Sequence, residues 1–173
     1  MAVWYMLTLV GADKPGIVAN ITDALYKTDC NLGEASMNCL GDNFTIMVMV
    51  SSDKKSVDIE QAIQPICEKM SLRYHLDSID GKLHNHHDAD TIVTVSGADH
   101  AGIVAKVTTA LFEAGLNIID LSSEVAGTEE KPIYIMQIEG QAKKGLEPIT
   151  EAIDAFKNEN IDVRVKSIET LIG

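Results

Sequence analysis

The stretch GADKPGIVANIT at residues 11–22 returns as GADHAGIVAKVT at residues 97–108, 86 positions later. Aligned without a gap, residues 11–37 and 97–123 are identical at 12 of 27 positions, where average composition would give roughly one or two. A period of that length is too long for a solenoid unit and matches a small domain. The chain of 173 residues therefore reads as one module at 1–79, a second at 90–173, and a polar linker, DGKLHNHHDA, at 80–89. Further along, the match resumes with a three-residue shift. IMV at 46–48 aligns with IMQ at 135–137, and LDSI at 76–79 with VKSI at 165–168.

Both copies show the same order of elements. A strand, VWYMLTLV or TIVTVSG, leads into a helix, PGIVANITDALYKT or AGIVAKVTTALFEA. Val18, Ile21 and Leu25 in the first helix match Val104, Val107 and Leu111 in the second, at a spacing that shares one helical face. Gly115 sits where a helix end wants a left-handed residue, and Asp29 takes that place in the first copy. Two strands follow, near 31–40 and 43–51, then near 117–126 and 132–140. A second helix carries Ile59, Ile63, Ile66 and Met70, against Ile149, Ile153 and Phe156. Pro148 suits a first turn, while Pro65 lies deeper and is expected to kink its helix. LRYHLDSI and IDVRVKSI close the modules. The order βαββαβ, twice, predicts an α+β protein of two ferredoxin-like modules, each an antiparallel sheet with both helices on one face. Phe44, Ile46 and Val48 alternate with Met47 and Met49, so both faces of that strand are apolar. A second module or a second chain is expected to cover the outer face, which makes the chain a homo-oligomer candidate.

Composition narrows the function. The formal charge is −12 and no basic stripe offsets it, which argues against direct nucleic-acid binding. Cys30, Cys39 and Cys67 form no C-x-x-C pair and read as reduced thiols of a cytoplasmic protein. The opening MAVWYMLTLV lacks a basic start and a cleavage site, so it reads as a buried strand. No run is long enough to span a membrane. HNHHDAD, with His84, His86, His87, Asp88 and Asp90, lacks a partner cluster and reads as solvated linker rather than a metal site. No nucleophile elbow, phosphate loop or metalloprotease motif occurs. Ser122, Ser123 and Glu124 read as sheet surface. The chain is expected to be non-catalytic, and no cofactor is implied.

The repeated turn carries the remaining chemistry. Gly11 and Gly97 are expected to let the chain turn, and Pro15 to occupy the first helical position. Gly16 and Gly102 open the helix entrance, where unpartnered N–H groups attract a carboxylate. Asp13 and Asp99 stand beside it. Asn31 and Asn117 open the second strand, expected close to the end of the first. N–H donors, a carboxylate and an amide in one place suit the two charged ends of a free amino acid. Helix capping by the Asp is the competing role.

D-K-P-G-I-V-A…C-N-L and D-H-A-G-I-V-A…L-N-I, in the βαββαβ order, resemble the ACT domain, a regulatory module. The resemblance covers nearly the whole chain. It implies amino-acid binding at domain interfaces, with Asp13, Gly16, Asn31, Asp99, Gly102 and Asn117 as ligand contacts. It also implies a preference for a small ligand, glycine first, and a protein partner such as a transcriptional activator. A stand-alone regulatory subunit of a biosynthetic enzyme is the alternative. Two departures stand out: His100-Ala101 where the pattern prefers a following Pro, and Asp29-Cys30 where a Gly usually precedes the Asn.

Overall fold

A computed structural model describes residues 2–80, 88–98, 102–128, 131–158 and 161–168. The chain divides into two compact units, Met1–Asn85 and His86–Gly173. In the first, β1 (Val3–Ala12) leads through α1 (Ile17–Lys27) to β2 (Asn31–Leu40) and β3 (Asn43–Ser52), then α2 (Ser56–Met70) and β4 (Arg73–Ile79). The second repeats this as β5 (Thr91–Ala98), α3 (Ile103–Glu113), β6 (Leu116–Thr128), β7 (Lys131–Ala142), α4 (Leu146–Asp154), a 3-10 turn (Ala155–Asn158) and β8 (Ile161–Ser167). Strand order is β2-β3-β1-β4 in one sheet and β6-β7-β5-β8 in the other. Every neighbouring pair is antiparallel. These are two ferredoxin-like modules, each with its own core. Among the described residues, no helix is long and apolar enough to cross a membrane.

The first helix of each module buries two of the three expected residues, Ile21 and Leu25 or Val107 and Leu111, with Ile17 or Ile103 in place of the expected Val. Ile17, Ile21, Ala24 and Leu25 are buried in α1, and Ile103, Val107 and Leu111 in α3. Val18 and Val104 stay 40% and 37% exposed. Val18 lines a cleft with Met37 and Cys39 of the edge strand β2 instead of entering the core. At the helix ends, Asp29 (φ 57°) and Gly115 (φ 94°) take the expected left-handed conformation. Ser71 ends α2 in the same way, at φ 59°, without a sequence signal. Pro148 falls in the first turn of α4, and α2 continues through Pro65 as one helix of 15 residues.

Two sequence expectations are corrected by the register. Gly11 does not turn the chain. It lies inside β1 opposite Phe44, and a Cβ there would come within 2.8 Å of Leu72 Cδ2 and 3.0 Å of the Ser71 carbonyl. Close packing of β1 against the end of α2 is what excludes a side chain. Gly97 is likewise inside β5, opposite Tyr134. The alignment of IMV with IMQ is also one residue out. Leu7 pairs with Val48, and Val93 with Ile138, so the repeat has shifted by four residues here. A one-residue slip exchanges the two faces of a strand. Met47 and Met49 therefore correspond to Gln137 and Glu139. The later match stands, since Leu7 pairs with Leu76 and Val93 with Val165.

Candidate functional site

The site begins where β1 ends. Pro15-Gly16 has the composition of a type II turn, which needs a positive φ at its third residue. Gly16 has φ 89° and ψ 2°, and Gly102 has φ 93° and ψ −5°. Because a left-handed residue cannot continue a right-handed helix, Gly16 becomes the N-cap and α1 starts at Ile17. Pro15 thus precedes the helix instead of opening it. The glycines are required by conformation, not by crowding. A Cβ at Gly102 would meet nothing within 4 Å, and one at Gly16 only the Asn20 side chain.

Glycine supplies no side-chain cap to either helix, so the first N–H groups of α1 and α3 are left for a ligand or water. Asn20 Nδ2 donates to the Gly16 carbonyl at 2.7 Å, bracing the turn from inside. Asp13 does not cap α1. Its backbone N–H donates to the Asp42 carbonyl at 2.9 Å in the β2–β3 hairpin. Lys14 Nζ donates to the Met70 carbonyl at 2.8 Å, where the dipole of α2 ends and a cation is favoured. The entrance loop is thereby tied to the hairpin on one side and to α2 on the other.

Asp13, Lys14 and Gly16 line a cleft of about 380 Å³ with Ile17, Val18, Ala19, Met37, Cys39 and Phe44. The cleft opens over β2, which is exposed almost throughout. Met37 and Cys39 register with Ile46 and Phe44 and so face the helix side. Met37 is nevertheless 56% exposed. The sequence reading missed Met37, Cys39 and Phe44. Their alternation was visible, but their place beside Asp13 depends on pairing across the sheet. A separate, smaller apolar groove of about 130 Å³ lies along α1; it also touches Ile17 and Val18 and is lined further by Ile21, Leu25, Leu32 and Ala35.

Asn31 is not in this cleft. It registers with Ser51, which registers with Trp4, at the opposite end of β1 from Ala12. Eight residues of strand separate the two ends, roughly 26 Å at about 3.3 Å per residue. The physical reason is direction: β1 and β2 both run antiparallel to β3, so the start of β2 lies beside the start of β1. Asn117 is placed in the same way, opposite Gln141 and beyond Gly140, the partner of Thr91. Within one module the Asn and the helix entrance cannot hold one amino acid. Both edge strands bulge just after the Asn, between Leu32 and Ala35 in β2 and between Ile118 and Asp120 in β6.

Asp99, His100 and Ala101 lie outside the described residues, as do His84, His86 and His87. Among the described residues, no group of three or more His, Cys, Asp or Glu is placed to hold a metal. Cys67 is buried and its thiol is pushed up by burial, whereas Cys39 is exposed at the cleft. Asp90 is held below the usual carboxylate range by the Thr91 hydroxyl and then by the Ala142 N–H. It ties the start of β5 to the end of β7.

Comparison with known proteins agrees with the fold. The glycine cleavage system transcriptional repressor of Escherichia coli (strain K12) is 26% identical over 130 residues, spanning 74% of this chain and 68% of that protein. A UPF0237 protein of Streptococcus pneumoniae is 40% identical over 50 residues, 29% of this chain and 57% of its own. The fold is shared with an unknown protein from Galdieria sulphuraria, with a TM-score of 0.81 and 21% identity over 97% of this chain and 99% of that one. A candidate glycine cleavage system transcriptional repressor of known structure has a TM-score of 0.71 and 17% identity over 98% and 99%. The ACT domain family matches residues 5–77 and again residues 91–158. With both modules matched, the chain belongs to the ACT-domain family and consists of two such regulatory domains in tandem.

Proposed function

We propose that this chain is a non-catalytic amino-acid sensor, with modules at 1–79 and 90–173 and a linker at 80–89, that regulates a protein partner. The observation that carries the reading is the cleft at Asp13 and Gly16, beside an open sheet edge, in a chain built from two ACT domains. The uncapped N–H groups of α1 suit a carboxylate. The Asp13 carboxylate suits an ammonium. Gly102, Asn117 and, by the sequence repeat, Asp99 are the counterparts in the second module.

Asn31 enters through oligomerisation. β2 is an edge strand exposed almost throughout, and beyond its bulge, from Ala35 to Leu40, it has no charged residue or Pro to protect the edge. Antiparallel pairing of β2 with β2 of a second chain reverses the strand direction. That brings the partner subunit's Asn31 toward Leu40 and hence toward the cleft. The site is then completed only in the oligomer, which links ligand binding to assembly.

The regulated partner is read as a DNA-binding activator. The Escherichia coli relative is named as a transcriptional repressor, and a charge of −12 opposes direct contact with DNA. A thermal-shift screen with the twenty amino acids, paired with light scattering, tests the sensor. A ligand that raises the melting temperature and is lost in Asp13→Ala is expected. Absence of any shift at millimolar concentration overturns the reading. Recovery of a biosynthetic enzyme instead of an activator in affinity capture would favour a regulatory subunit.

A further inference from the structure

We infer that the first module selects an amino acid with a medium-sized aliphatic side chain, of the leucine class, over glycine, and that the second module does not share this preference. The inference rests on the amino-acid reading above and deepens it.

The argument is one of shape and polarity. Charged groups sit at one end of the cleft only: Asp13, the uncapped start of α1, and Lys14, whose ammonium is engaged by the Met70 carbonyl. Beyond that end the cleft is lined by Ile17, Val18, Met37 and Phe44, and Ile17 and Val18 also line a separate apolar groove along α1. An amino acid with its ammonium on Asp13 directs its side chain between Val18 and Met37. These two are exposed without ligand, at 40% and 56%, above a floor of Ile17 and Phe44, each 2% exposed. Glycine leaves those walls wet. An isobutyl group covers them, and each methylene removed from water favours the longer ligand severalfold.

The second module differs at these positions. Met37 registers with Ile46 as Ser123 registers with Met136, and Cys39 with Phe44 as Val125 with Tyr134. Ser123 thus stands where the first module has Met37. A hydroxyl offers no comparable apolar wall, so one selective site per chain is expected.

Calorimetry on the full chain with leucine, glycine and 4-methylpentanoate (leucine without its ammonium) tests this. The variants are Met37→Ser, which installs the second module's residue at an exposed position, and Asp13→Asn. Expected results are one leucine per chain, bound about tenfold or more tighter than glycine, and no comparable binding of 4-methylpentanoate. Met37→Ser should lower the leucine-to-glycine affinity ratio severalfold, with circular dichroism confirming the fold. Glycine equal to leucine, or leucine indifferent to Met37→Ser, overturns the selectivity and leaves the sensor standing. Binding of none of the twenty amino acids overturns both. If Met37→Ser lowers the oligomer mass but not leucine affinity, the groove belongs to a second copy and the inference falls.

Discussion

The two sheets are alike on the side that faces their helices and different on the other. Toward the helices, Leu7, Leu9, Val48 and Val50 in one module match Val93, Val95, Ile138 and Gly140 in the other. On the outer face, Met6 lies opposite Met49 and Thr8 opposite Met47. The second module pairs Ile92 with Glu139 and Thr94 with Gln137 there. Trp4 of the first module is replaced by Asp90, which accepts hydrogen bonds from Thr91 and Ala142. The inner face must exclude water in either copy. The outer face is free to become polar unless something covers it, so the apolar outer face of the first module is the one proposed to meet a partner surface.

The largest expected effect tests the shared part of this comparison. Leu25 and Leu111 are each 0% exposed at the same place in their helices. Leu25→Ala and Leu111→Ala should each destabilise their own module by about 2–5 kcal/mol. Two denaturant transitions, shifted one at a time, would confirm independent cores. A single transition moved equally by both would break that picture. Smaller, and again equal in the two modules, is the cost of removing the left-handed glycine. Gly16→Ala and Gly102→Ala should each cost about 1–2 kcal/mol, because conformation and not packing demands glycine there. A much larger loss at one of them would reveal a contact specific to that entrance.

The outer faces give the contrast. Met47→Gln with Met49→Glu copies the second module onto the first and should lower the association state in light scattering without unfolding the chain. Unchanged mass would mean that the apolar face covers no partner surface. The smallest effect concerns Asp90. Its carboxyl is lowered in the folded state. The stability it contributes is therefore present above the unfolded value, about 3.9, and is lost as pH falls through the folded value. Acid titration should weaken the second module's transition through this window, and Asp90→Asn should flatten that dependence. The first module, with Trp4 at this position, should show no counterpart.

Much of the site was legible at the level of residue types and much less at the level of neighbours. Asp13, Gly16 and Gly102 mark the helix entrance in both repeat and structure, because the turn is encoded within a few residues. Asn31 was expected beside them and lies at the far end of the sheet. Val18 was expected in the core and instead walls the cleft. For Asn31 the local pattern was read correctly and the error lay in strand direction, whereas for Val18 the helix turns Ile17 inward instead.

By itself the sequence determined the duplication, the βαββαβ order and the left-handed ends at Asp29 and Gly115. Each of these is set by composition over a short window: hydrophobic period, a turn residue, a repeated block. Only the tertiary structure decided the strand register, the four-residue shift that sends Met47 and Gln137 to the outer face, and the crowding at Gly11. It also decided the union of Asp13 with Met37, Cys39 and Phe44. Those depend on pairing between segments far apart in the chain, where one residue of slip exchanges the faces of a strand and no local signal records the choice.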